Sequence, residues 1–116
     1  MKRGDLVIVS LPGDYGKPRP AVVLQNDRLE GRLESYIIAL LTTFDEGARV
    51  LRVDVSPTPE NRLEKHSKVM VDKLYAIPEH RVRQHLGKLD VATMRNVDRA
   101  LMMILDLDPL RQAYPV

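Results

Sequence analysis

The apolar positions of this chain change their period once. From Leu6 to Ile77 they come in short runs divided by turn residues, and from Val91 onward they follow a helical spacing. Leu6-Val7-Ile8-Val9-Ser10-Leu11 is rich in β-branched residues and stops at Pro12-Gly13, which predicts a strand. Ala21-Val22-Val23-Leu24 predicts a second, opened by Pro20 and closed by Gln25-Asn26-Asp27. Tyr36-Ile37-Ile38-Ala39-Leu40-Leu41 predicts a third and runs into Thr42-Thr43. From Val50 to Val55 the pattern alternates. Leu51, Val53 and Val55 share one face and Arg52 and Asp54 the other, as in a half-buried strand. Val69-Met70-Val71 and Leu74-Tyr75-Ala76-Ile77 are shorter strand candidates. Gly31, Asp45-Glu46-Gly47 and Pro57 to Asn61 supply turns between the runs.

After Asp90 the period becomes helical. Val91, Met94, Val97, Leu101 and Ile104 form one stripe, extended by Leu105, while Arg95, Asp98 and Arg99 mostly cover the other face. Asp90 stands at the N-cap position, where its carboxylate would accept from the first turn, and Pro109 ends any helix. A shorter helix over Pro78 to Leu86 is also expected, with Pro78 in its first turn. The pattern predicts a mainly β, α+β fold: a small curved antiparallel sheet or SH3-like barrel with a C-terminal helix packed on it.

Composition narrows the class. A chain of 116 residues fits one domain spanning 1–116. No cysteine is present, which removes disulfide scaffolds and thiolate metal sites. No apolar run approaches the roughly 20 residues that span a bilayer. Asp5 stands where a secretory signal would begin its apolar stretch, so a cytoplasmic protein without membrane contact is expected. The net charge of +2 permits a polyanionic partner without requiring one. Aromatics make up 4% with no tryptophan, so a nucleic acid would be held chiefly through phosphates and base edges, with steep salt dependence.

Two segments carry candidate chemistry. In Gly13-Asp14-Tyr15-Gly16-Lys17-Pro18-Arg19-Pro20, two prolines bracket Arg19 and hold its backbone extended at a strand entrance. That arrangement suits a guanidinium set to receive a phosphate. Taken alone, the segment reads better as a proline-rich hairpin loop with a solvated arginine than as an anion site. The second segment is the strand end at Thr42-Thr43, whose hydroxyls would either hydrogen-bond an anion or satisfy a turn. His66, His80 and His85 have no metal-ligand spacing, and no nucleophile elbow or glycine-rich phosphate loop occurs.

Read in order, several blocks resemble the MazF/PemK family of toxin endoribonucleases. They are Lys2-Arg3-Gly4-Asp5-Leu6-Val7, Gly16-Lys17-Pro18-Arg19-Pro20-Ala21-Val22-Val23-Leu24-Gln25-Asn26-Asp27, Leu41-Thr42-Thr43, Asn61-Arg62-Leu63, His66 to Lys73 and Leu86-Gly87-Lys88-Leu89. The resemblance implies a homodimer that cuts single-stranded RNA within short sequence motifs, uses no metal or other cofactor, and is silenced by a cognate antitoxin protein. It places the catalytic arginine at Arg19 and the catalytic hydroxyl at Thr42, with Thr43 the alternative. RNA-binding roles are expected for Lys17, Gln25, Asn26, Thr43 and Arg52. The Pro12 to Pro18 loop is short for the family, which leaves grip and sequence preference open. Tyr15, Tyr36 and Phe44 are the candidate stacking residues, Tyr36 being better suited to the core.

The residue types agree with this chemistry. Attack by the RNA's own 2′-hydroxyl needs no protein nucleophile, and a fixed arginine with a hydroxyl would stabilise charge growing on the phosphate. Arginine stays protonated and is a poor base, so Arg19 is assigned to charge stabilisation and Thr42 to a hydrogen bond on the phosphate. Two alternatives stand beside this reading. One is a non-catalytic toxin of the same fold that poisons DNA gyrase, a class that depends on a C-terminal tryptophan this chain lacks. The other is a family member that only binds antitoxin or nucleic acid.

Overall fold

The computed structural model describes residues 1–44 and 51–111. Strands β1 (Asp5–Ser10), β2 (Pro18–Val23), β3 (Ser35–Thr42), β4 (Arg52–Val55), β5 (Ser67–Pro78) and β6 (Val82–Lys88) form one sheet, followed by helix α1 (Val91–Ile104). The sheet order is β4-β5-β3-β2-β1-β6, and each neighbouring pair is antiparallel. Val50 and the Asp45-Glu46-Gly47 turn lie outside the described residues.

The unbroken apolar runs have a physical reason. Leu6, Val22, Ala39, Leu41, Val69 and Val71 pack in one cluster with Val97 of α1. Their strand neighbours Val7, Val9, Ala21, Val23, Ile38, Leu40 and Ile77 fill a second cluster, with Tyr36 partly buried against it. The curled sheet therefore buries both sides of its central strands, and alternation disappears from the sequence there. It survives in β4, where Val53 and Val55 are buried and Asp54 is exposed.

Two expectations change. Pro78 to Leu86 is not a helix: a single 3-10 turn, Glu79–Arg81, leads straight into β6. β6 pairs along the open edge of β1, from Asp5 opposite Lys88 to Val9 opposite Val82, and those ladder bonds outweigh local preference. The two short candidates around residue 72 are one strand, β5. Ala39 pairs with Leu74 but the next residue, Leu40, pairs with Met70, so Val71, Asp72 and Lys73 are extra on the β5 side. Such a bulge bends a strand and re-aims its side chains.

α1 begins as its N-cap predicts. Asp90 Oδ2 accepts from the Thr93 amide at 3.2 Å and Oδ1 from the Thr93 hydroxyl at 2.5 Å. Met94, Leu101 and Ile104 pack beside buried Val97, while Val91 and Leu105, expected on the same stripe, are exposed. Arg3 joins α1 to the sheet: its Nε donates to the Leu24 carbonyl at 2.8 Å and its Nη2 to Asp98 at 2.5 Å.

The Asn61 and Gly87 blocks are structural. Buried Asn61 accepts from the amides of Thr58 (3.0 Å) and Leu63 (2.9 Å) and donates to the Ser56 carbonyl at 2.9 Å. Gly87 passes so close that any Cβ would collide with the Glu60 carbonyl. Among the described residues no helix is long and apolar enough to cross a membrane.

Candidate functional site

β1 and β2 form a hairpin in which Val9 pairs with Arg19 and Ser10 with Pro18. The connecting loop turns through left-handed residues: Gly13 at φ 79°, Tyr15 at 53° and Gly16 at 74°. Glycine takes this conformation without penalty, whereas Tyr15 takes it at the loop tip with its side chain wholly exposed. Arg19 follows on a backbone stiffened by Pro18 and Pro20. Its Nε donates to Asp14 Oδ2 at 2.7 Å and its Nη2 to Asp14 Oδ1 at 3.1 Å. The hydrogen bond from Arg19 holds the Asp14 carboxyl below its usual range, and Asp14 in turn raises the guanidinium.

Thr42 is the last residue of β3. Its Oγ1 accepts from the Phe44 amide at 3.1 Å, which fixes the oxygen and leaves its O–H to donate. Arg19 and Thr42 both line one cavity of about 570 Å³. Leu11, Pro12, Gly13 and Asp14 form its hairpin wall, Leu40 and Phe44 join Thr42 on the β3 wall, and Arg52, Met70, Lys73 and Tyr75 close it from β4 and β5. Leu11, Leu40 and Met70 are buried, so the cavity has an apolar base beneath a polar rim.

Charge around the rim is uneven. Arg19 is balanced by Asp14, and Arg52 donates through Nε to Asp72 at 3.1 Å. Lys73 forms no ion pair among the described residues, so it adds net positive charge to the rim. Two aromatic side chains face this opening: Phe44 is 67% exposed and Tyr75 39% exposed. This relocates the aromatic contribution, since Tyr36 is taken by the core and Tyr15 stands at the loop tip outside the cavity lining.

The other sequence-derived candidates separate. Arg52 lies in the cavity. Thr43, the residue after β3, is exposed but does not line it. Lys17 is exposed at the base of the hairpin loop, also outside the lining. Gln25 and Asn26 sit beyond the opposite end of β2, about 20 Å along the strand from Arg19. Gln25 is buried with its Oε1 accepting from the Ile37 amide at 3.4 Å, and Asn26 Oδ1 caps the Asp27–Leu29 turn by accepting from the Arg28 amide at 2.9 Å. Neither reaches the cavity. The histidines stay outside its lining too, with His66 Nε2 held at 3.0 Å from Asp54. Lys73 and Tyr75 also line the cavity, and the sequence did not single either out from its scattered basic residues and short apolar runs. Their i, i+2 spacing was the available signal, but it has meaning only once β5 is read as one strand.

Residues 2–105 match the family described as PemK-like, MazF-like toxin of type II toxin-antitoxin system. This chain belongs to that family. Within the PemK/MazF toxins, the probable endoribonuclease MazF of Mycolicibacterium smegmatis is 35% identical over 108 residues, which is 92% of this chain and 98% of that protein. The Mycobacterium tuberculosis toxin MazF-mt6 superposes with a TM-score of 0.76 at 25% identity, covering 90% of this chain and 98% of that one. A mycobacterial endoribonuclease solved with its cognate antitoxin shares the fold with a TM-score of 0.74 at 20% identity, covering 99% of each chain. The six-stranded antiparallel sheet with its C-terminal helix is thus a PemK/MazF architecture.

Proposed function

We propose that this chain is the toxin of a type II toxin–antitoxin pair and acts as an endoribonuclease on single-stranded RNA, messenger RNA in the cell. In the reaction the 2′-oxygen attacks the adjacent phosphorus, the 2′-hydroxyl gives up its proton, and the bond to the 5′-oxygen breaks. The 5′-oxygen takes up a proton, leaving a 2′,3′-cyclic phosphate and a 5′-hydroxyl. Negative charge grows on the non-bridging phosphate oxygens as the new bond forms. Arg19 stabilises that charge and the Thr42 O–H donates to the same phosphate, the kind of prearranged electrostatic contact that is often the largest catalytic contribution. No step requires a metal or other cofactor.

The observation that carries this reading is that Arg19 and Thr42 line one cavity although they lie on different strands. Lys73 supplies positive charge for a neighbouring phosphate, Arg52 lines the cavity paired with Asp72, and Phe44 and Tyr75 offer faces for bases. The 35% identity to a probable endoribonuclease supports the activity. An antitoxin partner, a homodimer and a cytoplasmic location complete the reading, and a structural relative solved with its antitoxin supports the first of these.

The test is to incubate purified protein with a mixed RNA pool in chelator and to map both cut positions and end groups. Cuts at a short shared motif with cyclic-phosphate and 5′-hydroxyl ends are expected. RNA left intact, in a preparation that arrests cells by breaking DNA, would replace this reading with gyrase poisoning.

A further inference from the structure

One charged side chain in the cavity has no part in the reaction as written. Asp14 presents a carboxylate where a polyanion is to bind, and on electrostatic grounds alone it weakens that binding. Yet the hairpin loop is built around it. The Asp14 amide donates to the Leu11 carbonyl at 3.2 Å and its carbonyl accepts from the Lys17 amide at 3.0 Å. The left-handed residues Gly13, Tyr15 and Gly16 flank it on both sides. The carboxylate then grips Arg19 along one edge, through Nε and Nη2.

We propose that Asp14 is a positioning residue for Arg19, fixing the guanidinium so that its remaining donors are set for the scissile phosphate. This rests on the reading of Arg19 given above. A guanidinium has five N–H donors, and Asp14 takes one on Nε and one on Nη2. The Nη1 pair and the second Nη2 hydrogen are left along the outer edge, the fork that matches two phosphate oxygens. Pro18 and Pro20 fix the backbone of Arg19 but leave its long side chain free to rotate. Asp14 removes that freedom before substrate arrives, at the cost of weaker attraction for RNA. The lowered proton affinity of Asp14 keeps it ionised through neutral pH.

This arrangement predicts an unusual kinetic signature. Asp14→Asn removes a negative charge from an RNA-binding cavity, so KM for RNA falls or holds. Turnover falls because Arg19 is no longer aligned, by about 10- to 100-fold given the sensitivity of reaction rates to small misplacements. Asp14→Glu, which keeps the carboxylate, recovers part of the lost kcat.

The experiment measures kcat and KM for wild type, Asp14→Asn, Asp14→Glu and Arg19→Ala on one RNA. It also records the Arg19 Nε–H resonance by ¹⁵N NMR. The proposal expects a slowly exchanging Nε–H in wild type that is lost in Asp14→Asn, alongside the fall in kcat without a rise in KM. If Asp14→Asn keeps kcat within about twofold of wild type, or raises KM with kcat intact, the positioning role is overturned. In either case an inactive Arg19→Ala leaves the ribonuclease site itself standing. Full activity in Arg19→Ala would overturn both.

Discussion

The two ends of β2 do different work. At its entrance Arg19 stands between two prolines, bonds to an aspartate in the adjoining loop and faces a cavity. Beyond its exit, Gln25 is buried on an amide of the neighbouring strand and Asn26 caps a turn. Arg3, near that exit, also bonds to an aspartate, but Asp98 lies on α1 and the other donor goes to the Leu24 carbonyl. Both arginines are partly exposed and both are paired with a carboxylate. What separates them is the surroundings: Arg3 bridges two packed elements, whereas Arg19 leaves donors along an open, polar rim. Pairing with a carboxylate therefore does not by itself set a candidate site arginine apart here; the surroundings of the pair do, a cavity lining for Arg19 and two packed elements for Arg3.

The largest effect expected from this contrast is on turnover. Arg19→Ala should lower cleavage by at least about 100-fold, the scale seen when a charge-stabilising donor is removed, with little change in melting temperature. Arg3→Ala should do the reverse. It should cost about 1–3 kcal/mol of stability through its charged hydrogen bonds and leave kcat near wild type. Cleavage kinetics and denaturant melts on the two variants sharpen the contrast, and an inactive but fully stable Arg3→Ala would break it.

Next come the two threonines. Thr42→Ala should reduce kcat by about 10- to 100-fold, whereas Thr43→Ala should stay within about threefold of wild type. A larger loss at Thr43 would move the catalytic hydroxyl by one position. Gln25→Ala should leave KM for RNA unchanged while lowering stability, since its amide group serves the sheet.

Much of this architecture was legible in the residues, and the gaps have physical causes. β1 to β4 and α1 were visible because burial imposes a pattern on the residues that experience it, and Asp90 carries its cap locally. β6 was not, because Val82-Arg83-Gln84-His85-Leu86 has little apolar pattern and becomes a strand through the open edge of β1. The continuity of β5 was hidden by Asp72-Lys73, which the bulge accommodates. Local pattern singled out Arg19 and Thr42-Thr43 separately, but only the resemblance to a family joined them, as no local pattern states that two strand ends line one cavity. Gln25 and Asn26 belong to the same resembling block as Arg19, but a strand carries residues of one block away from one another in space.

Smaller effects test the rim and the scaffold in turn. Lys73→Ala should weaken RNA binding and reduce the slope of log K against log salt by about 0.7, the share of one phosphate contact on a single strand. Binding titrations at several salt concentrations measure it, and an unchanged slope would remove Lys73 from the RNA path. On the scaffold side, Asp90→Ala should cost about 1 kcal/mol as a lost N-cap. Hydrogen bonds from Thr93 hold the Asp90 carboxyl below its ordinary value of 3.8. Its contribution to stability is therefore full above that value and is lost as pH falls through the lower folded one. Acid melts of Asp90→Asn should lack this component while keeping a cap acceptor.

The claim that the Arg19 end of β2 cuts RNA through the substrate's own 2′-hydroxyl meets its most direct test in one oligonucleotide. The ribose 5′ to the mapped cut is replaced by deoxyribose and all else is kept. The account predicts no cleavage at that linkage, while a second copy of the motif in the same strand is cut at the normal rate. Equal cleavage at both linkages would contradict it.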